Sequence, residues 1–143
     1  MQKALFTSNK DDWRTPKWLF EQLDTEFHFN VDLCADHENH LCATYYTAKN
    51  DGLYADIKGA RVFCNPPYGR TSTARWIKKC AEGGAEVAVM LIPARTDTAA
   101  FHDYIYGKAE VRFLRGRLRF SNSSNGAPFP SMIVIFKSIT ERE

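Results

Sequence analysis

The sequence predicts an α/β domain with a mostly parallel sheet closed by an antiparallel strand. Two patterns carry that expectation. Short β-branched and aromatic runs alternate with segments of helical periodicity along most of the chain. Two strand-like runs, Glu110 to Leu114 and Ser131 to Phe136, then follow near its end without a helix between them. A third feature puts polar groups at the carboxyl end of a strand, the edge where ligands bind in an open α/β sheet. The apolar run Arg61 to Cys64 stops abruptly at Asn65-Pro66-Pro67-Tyr68-Gly69. Neither proline offers an N–H for pairing, so the strand ends there.

Met1 to Asp12 is polar and is expected to be loosely ordered. Thr15-Pro16 reads as an N-cap and first helical residue, and Trp18, Leu19, Phe20, Leu23 and Phe27 recur at helical spacing, which predicts a helix over Pro16 to Glu26. Phe29 to Leu33 reads as the first strand and Thr44 to Thr47 as a short one. Asn50-Asp51-Gly52-Leu53 is turn chemistry. After the Pro-Pro turn, Trp76, Ile77 and Cys80 predict a helix from Thr71 that stops at Gly83-Gly84. Glu86 to Ile92 is a continuous apolar strand ended by Pro93. Asp97 to Tyr106 reads as a helix capped by Gly107, and Ser121 to Pro130 as a polar loop.

A chain of 143 residues suits one domain with one core, spanning residues 1–143. Its 44% hydrophobic and 25% charged content is that of an ordinary globular protein. No apolar stretch has the length of a membrane span and Met1-Gln2-Lys3 opens no signal peptide, which points to the cytoplasm and away from membranes. Net charge is only +2, but Arg112, Arg115, Arg117 and Arg119 crowd one segment while acids concentrate before Asp56. A local basic row is the footprint of a phosphate-binding face, and equally of a charged edge strand. Cys34, Cys42, Cys64 and Cys80 form no Cys-x-x-Cys pair, and Cys34, His37, His40 and Cys42 fit no standard zinc module. No metal is expected.

The Pro-Pro turn is the richest chemistry. Asn65, held extended before a proline, presents Oδ1, and the Pro66 carbonyl stands beside it; together they can grip one planar NH₂. Tyr68 can stack on the ring that carries that amine. Acceptors on both hydrogens favour a localised nitrogen lone pair as positive charge develops, which is electrostatic stabilisation of a transition state. As bare sequence, the same residues also read as a surface turn after a core strand.

Trp13-Arg14-Thr15-Pro16, Val31-Asp32-Leu33-Cys34-Ala35, Asn50-Asp51-Gly52-Leu53, Asn65 to Gly69, Leu91 to Thr98 and Gly116 to Phe120 together resemble the small phage-type DNA N6-adenine methyltransferases, the phage Dam family. The matches run from Trp13 to about Phe136. The resemblance implies a Rossmann-like methyltransferase domain with no separate target-recognition domain. It implies transfer of a methyl group from S-adenosylmethionine to adenine N6 in double-stranded DNA, by a phage or prophage enzyme; monomer and weak dimer both stay open. The adenine would be flipped into a pocket formed by Asn65, Pro66, Pro67 and Tyr68.

By the same resemblance Trp13, Thr15, Pro16, Asp32, Cys34, Ala35, Asp51, Leu53 and Asn65 are expected around the cofactor, with Asp51 meeting its adenine amino group and Leu53 packing on that ring. Trp13 reads equally as core, Thr15-Pro16 as a helix start, and Asp32 and Asp51 as turn residues. No glycine occurs between Asp32 and Asp51, where the broad methyltransferase pattern carries one. Arg70, Arg95, Arg115, Arg117 and Arg119 are the candidate DNA contacts. In a regular strand Arg115, Arg117 and Arg119 would share one face. Methylation of RNA or of a protein glutamine, and a nucleic-acid-binding module without cofactor, are the alternatives.

Overall fold

The computed structural model describes residues 12–49 and 51–138. Its centre is a six-stranded sheet in the order β2-β1-β3-β4-β6-β5. The strands are β1 (Val31–Ala35), β2 (Tyr45–Thr47), β3 (Arg61–Cys64), β4 (Val87–Pro93), β5 (Glu110–Phe113) and β6 (Ser131–Lys137). β2, β1, β3 and β4 pair in parallel. β6 runs antiparallel to both β4 and β5, and so closes the sheet as the late strands predicted. β4 is buried along its whole length, as expected of a Val, Met, Leu and Ile run covered on both faces.

Helix α1 (Lys17–Phe27) lays Leu19, Phe20, Leu23 and Phe27 on one face of the sheet. Phe20 meets Phe63 edge-on, with ring centroids 5.3 Å apart. Helix α2 (Arg70–Glu82) buries Trp76, Ile77 and Cys80 on the other face, where Cys80 touches Cys64. Adjacent residues of a strand point to opposite faces, so Phe63 and Cys64 separate the two helical layers. Among the described residues no helix is long and apolar enough to cross a membrane.

Several boundaries differ from the sequence reading. α1 starts after Pro16, whose carbonyl accepts from the Leu19 and Phe20 N–H groups. Thr15 is therefore no helix cap. β1 begins at Val31, because Phe29 N–H is taken by the Asp24 carboxylate and Asn30 Oδ1 by Arg61 N–H. The helix read over Asp97 to Tyr106 is present but shorter, over residues 99–105, and is π-helical at Phe101–Ile105, closed by Tyr106 N–H on the Phe101 carbonyl at 2.8 Å. Thr96 and Thr98 hold the preceding residues in a turn: Thr98 Oγ1 donates to the Arg95 carbonyl, and the His102 ring meets the Thr96 carbonyl. Residues Arg115 to Arg119 do not continue β5. Gly116, at φ 74°, breaks the extended run, so the expected one-sided strand row does not form. The expectation about the amino terminus falls on residues 1–11, outside the described residues, as does Asn50.

Candidate active site

The parallel strands β1, β3 and β4 release their chains at one edge, where ligands bind in open α/β sheets. Asn65 follows β3 there. Its Nδ2 donates to the Trp13 carbonyl and to Thr15 Oγ1, at 2.5 and 2.9 Å. The Trp13 carbonyl can only accept, which fixes the orientation of the amide. Asn65 Oδ1 accepts from the Tyr68 hydroxyl at 2.5 Å, which also lies 2.9 Å from the Leu91 carbonyl.

Thr73, in the first turn of α2, staples the loop. Its hydroxyl donates to the Pro67 carbonyl and accepts from Gly69 N–H, both at 2.9 Å. The Pro66 carbonyl meets no donor among the described residues. Asn65 Oδ1 and the Pro66 carbonyl therefore keep acceptor capacity, as the turn chemistry requires. Tyr68 departs from the expected stacking platform. It is 6% exposed, packs edge-on to Phe120 and Phe129, and does not line the cavity beside Asn65. Burial holds its phenol well above the ordinary range, so the hydroxyl stays a donor to Asn65.

A cavity of about 280 Å³ opens beside Asn65. Trp13, Thr15, Asp32, Cys34, Ala35 and Asn65 of the expected cofactor residues line it, together with Pro66 and Pro67. Asp32 is the second residue of β1 and is 3% exposed. Its carboxylate accepts from Leu41 N–H at 2.9 Å and Cys34 N–H at 3.4 Å. Desolvation pushes its pKa up; those two N–H groups and His40 oppose the shift, and Asp36 adds to it. Cys34 and Cys64 have sulfurs 3.9 Å apart, and burial pushes both thiols up. Cys42 is pushed up to about 12 by burial. None of these is a thiolate nucleophile.

Three expected cofactor residues stand elsewhere. Pro16 lines a different groove. Asp51 Oδ1 is taken by Thr47, from the backbone N–H at 2.6 Å and the hydroxyl at 3.1 Å. Leu53 is half-buried against the core. Neither Asp51 nor Leu53 lines the cavity. Its remaining wall comes from residues the sequence did not single out for the cofactor, including Asp36, His37, Asn39, Leu41 and Lys49. They belong to the stretch without glycine. Asp36 and Asn39 exchange backbone hydrogen bonds of 3.4 and 3.3 Å, and Asp36 Oδ1 accepts from Glu38 N–H. An aspartate-stapled turn thus stands in the stretch where the broad methyltransferase pattern carries a glycine. The Asp-x-x-Asn spacing is the signal that could have found it.

The expected DNA contacts fall into two groups. Arg70 and Arg95 line a cleft of about 610 Å³ against α2 and the π-helical turn. Arg115, Arg117 and Arg119 line a groove of about 570 Å³ with Pro16, Lys17 and Trp18. Arg112 serves neither, because it pairs with both carboxylate oxygens of Glu26 and with Glu110.

The model of the family described as DNA N-6-adenine-methyltransferase (Dam) matches residues 2–143. This chain belongs to that family. Within the Dam family it is similar to the DNA N-6-adenine-methyltransferase of Haemophilus phage HP1, with 29% identity over 91% of this chain and 80% of the relative. A shorter, stronger likeness is to the putative methyltransferase YfdM of Escherichia coli K12, 44% identical over 41% of this chain and 71% of that protein. The DNA N-6-adenine-methyltransferase of Escherichia phage T1 is 28% identical over 76% of this chain and 47% of its own length. A Dam-family chain is a methyltransferase and requires a methyl donor beside the acceptor.

Proposed function

We propose that this chain transfers a methyl group from S-adenosylmethionine to the N6 amino group of adenine in duplex DNA, with the adenine turned out of the stack. The observation that carries the reading is the Asn65 amide, clamped by Trp13 and Thr15 and lining a cavity that the buried Asp32 carboxylate also lines. The phage relatives are DNA N-6-adenine-methyltransferases by name, which supports DNA adenine over RNA or a protein amide.

The cavity suits S-adenosylmethionine by its donor set. Asp32 offers a desolvated anion to a cationic group, while Phe63, Leu41 and Ala48 offer apolar wall. Asp36, His37 and Lys49 supply polar groups toward solvent. When bound, the cofactor supplies an electrophilic methyl group. Everything else is positioning by this chain. Asn65 Oδ1 and the Pro66 carbonyl accept the two amine hydrogens and favour a localised nitrogen lone pair. A carbonyl oxygen has two lone pairs, so Oδ1 can serve the amine while still accepting from Tyr68. Trp13 and Thr15 hold the amide still. The proton of the methylated nitrogen leaves to water, and no side chain is assigned as a base. Arg70 and Arg95 on one side, and Arg115, Arg117 and Arg119 on the other, hold DNA phosphates.

The test is transfer of labelled methyl from S-adenosylmethionine to DNA by the parent and by Asn65→Ala. The variant should lose about 100-fold or more in rate, by analogy with loss of one oxyanion-type contact, with its circular dichroism unchanged. Equal rates would remove Asn65 from the chemistry. A parent that labels RNA or protein and not DNA would overturn the substrate assignment.

A further inference from the structure

Trp18 is 55% exposed in the first turn of α1, whereas Trp13 and Trp76 are 9% and 2% exposed. The buried stripe of α1 is Leu19, Phe20, Leu23 and Phe27, so Trp18 lies off the face that packs on the sheet. Single exposed aromatics are common on protein surfaces; of Trp18, Tyr54, Tyr106 and Phe113, the large exposed hydrophobic side chains among the described residues, Trp18 is the one that stands in this groove. Trp18 forms one wall of the groove whose opposite wall is the segment after β5.

The groove is charged in one sense only. Lys17, Arg115, Arg117 and Arg119 line it, and no carboxylate does among the described residues. Lys17 makes a loose exposed contact with Glu21 at 3.9 Å, and the three arginines form no ion pair among the described residues. Neighbouring Arg112 is neutralised by Glu26 and Glu110, so the excess charge belongs to the groove and not to the strand. A cationic trough beside an exposed indole is the arrangement that tracks a nucleic-acid backbone and stacks a base.

The groove also adjoins the candidate active site. Phe120 lines it, and its ring lies 5.3 Å from Trp13 and 6.1 Å from Tyr68. Pro16, at the groove's edge, follows Thr15, which holds Asn65. Ser121 N–H donates to the Arg14 carbonyl at 2.9 Å and ties the two walls together. A nucleotide seated here is one aromatic layer away from the Asn-Pro-Pro-Tyr loop.

We infer that this groove binds an unstacked nucleotide of the DNA flanking the target adenine, with Trp18 as stacking platform and Lys17, Arg115, Arg117 and Arg119 on the adjoining phosphates. The inference rests on the DNA-methyltransferase reading above and extends it. Turning an adenine out of a duplex leaves its neighbours unstacked, and an indole at that point replaces the lost stacking partner. Trp18 itself touches no reacting atom.

Intrinsic tryptophan emission tests it, because the other two tryptophans are buried. The probes are a single-stranded adenine-containing oligonucleotide and a duplex with an abasic site opposite one adenine. Both should quench emission of the parent, and the quenching should vanish in Trp18→Phe, which keeps a ring that can stack and so keeps affinity. Trp18→Ala should bind both probes about tenfold more weakly, with S-adenosylmethionine affinity unchanged. Quenching that persists in Trp18→Phe, or parental affinity in Trp18→Ala, overturns the inference. A parent that methylates DNA while Trp18 stays silent sinks the groove and leaves the activity standing. A parent that quenches on DNA but transfers no methyl leaves the groove standing and sinks the activity.

Discussion

Thr15 stands where a helix cap was expected, and its hydroxyl reaches Asn65 Nδ2 at 2.9 Å instead. It is 9% exposed and lines the cavity, so both a cofactor contact and a grip on Asn65 are open to it. The two roles separate kinetically. A hydrogen bond of this kind contributes about 1 kcal/mol, which in a barrier is roughly fivefold in rate. If Thr15 positions Asn65, Thr15→Ala should lower kcat by about that factor with KM for S-adenosylmethionine held, and Thr15→Ser should restore it. A rise in KM alone would make Thr15 a cofactor contact only. Asp32 gives a second residue-scale prediction. Burial raises its pKa in the folded chain, so its stabilising contribution is present at acid pH and is lost as pH rises through the folded value. A bound cation reverses that balance by favouring the ionised form. S-adenosylmethionine affinity measured by calorimetry should therefore rise with pH through the Asp32 titration, and this rise should flatten in Asp32→Asn. The same pH profile in both proteins would take Asp32 out of the cofactor site.

Secondary-structure elements were legible wherever burial alone decides them. The β-branched runs of β3, β4 and β6 and the apolar stripes of both helices announce themselves by period. What escaped was decided by side chains bonding to backbone. The π-helical stretch is entered through Thr98, which accepts from Phe101 N–H, and is tied back by His102 within it to the Thr96 carbonyl, while the start of β1 is set by Asp24 and Asn30. The turn over Asp36 and Asn39 forms one wall of the cavity, yet only its spacing hinted at it. The site followed the same division. Asn65 and its loop were legible because prolines dictate backbone locally, whereas the inward ring of Tyr68 is set by Phe120 and Phe129, far along the chain. Gly52 shows how a correct local reading can miss the cause. The turn at Asp51-Gly52 was expected from composition, but the demand for glycine is close approach. A Cβ there would sit 2.5 Å from the Leu33 carbonyl oxygen, 2.6 Å from the Trp76 ring and 3.0 Å from the Thr47 carbonyl oxygen. Backbone on two sides cannot give way. Gly52→Ala should cost about 1–3 kcal/mol in a urea titration. An unchanged midpoint would mean that the 3₁₀ turn Gly52–Tyr54 can lift off the sheet.

At the scale of the molecule, a net charge of +2 conceals an uneven field. Basic residues that the chain spends internally do not contribute to it: Arg61 pairs with Glu86, and Arg112 with Glu26 and Glu110. Arg115, Arg117 and Arg119 remain exposed, while Leu118 and Phe120 between and after them are buried. The alternation that a strand would have supplied thus survives locally, from Arg117 to Phe120, although Gly116 has ended the strand. This segment leaves the sheet at the edge that carries Asn65: Leu114 N–H donates to the Ser131 carbonyl at 3.1 Å, and Ser131 is paired with Pro93 at the carboxyl end of β4. Arginines on that edge can hold the backbone of a duplex whose adenine enters the pocket. Each phosphate contact releases condensed counterions, so its loss shows in the salt dependence and not only in the affinity. Arg117→Ala should weaken binding to all duplexes alike and reduce the slope of log affinity against log salt by about one unit. If Arg117 reads a base instead, the loss should fall on one preferred sequence, at roughly 1–3 kcal/mol for a bidentate contact, with non-specific binding untouched. The phosphate role is favoured by geometry, because Arg117 lies on an irregular segment with no helix or paired strand to insert it into a groove. Parental affinity and parental slope together would place the duplex elsewhere, and Arg70 and Arg95 in the cleft against α2 would then be the next arginines to replace.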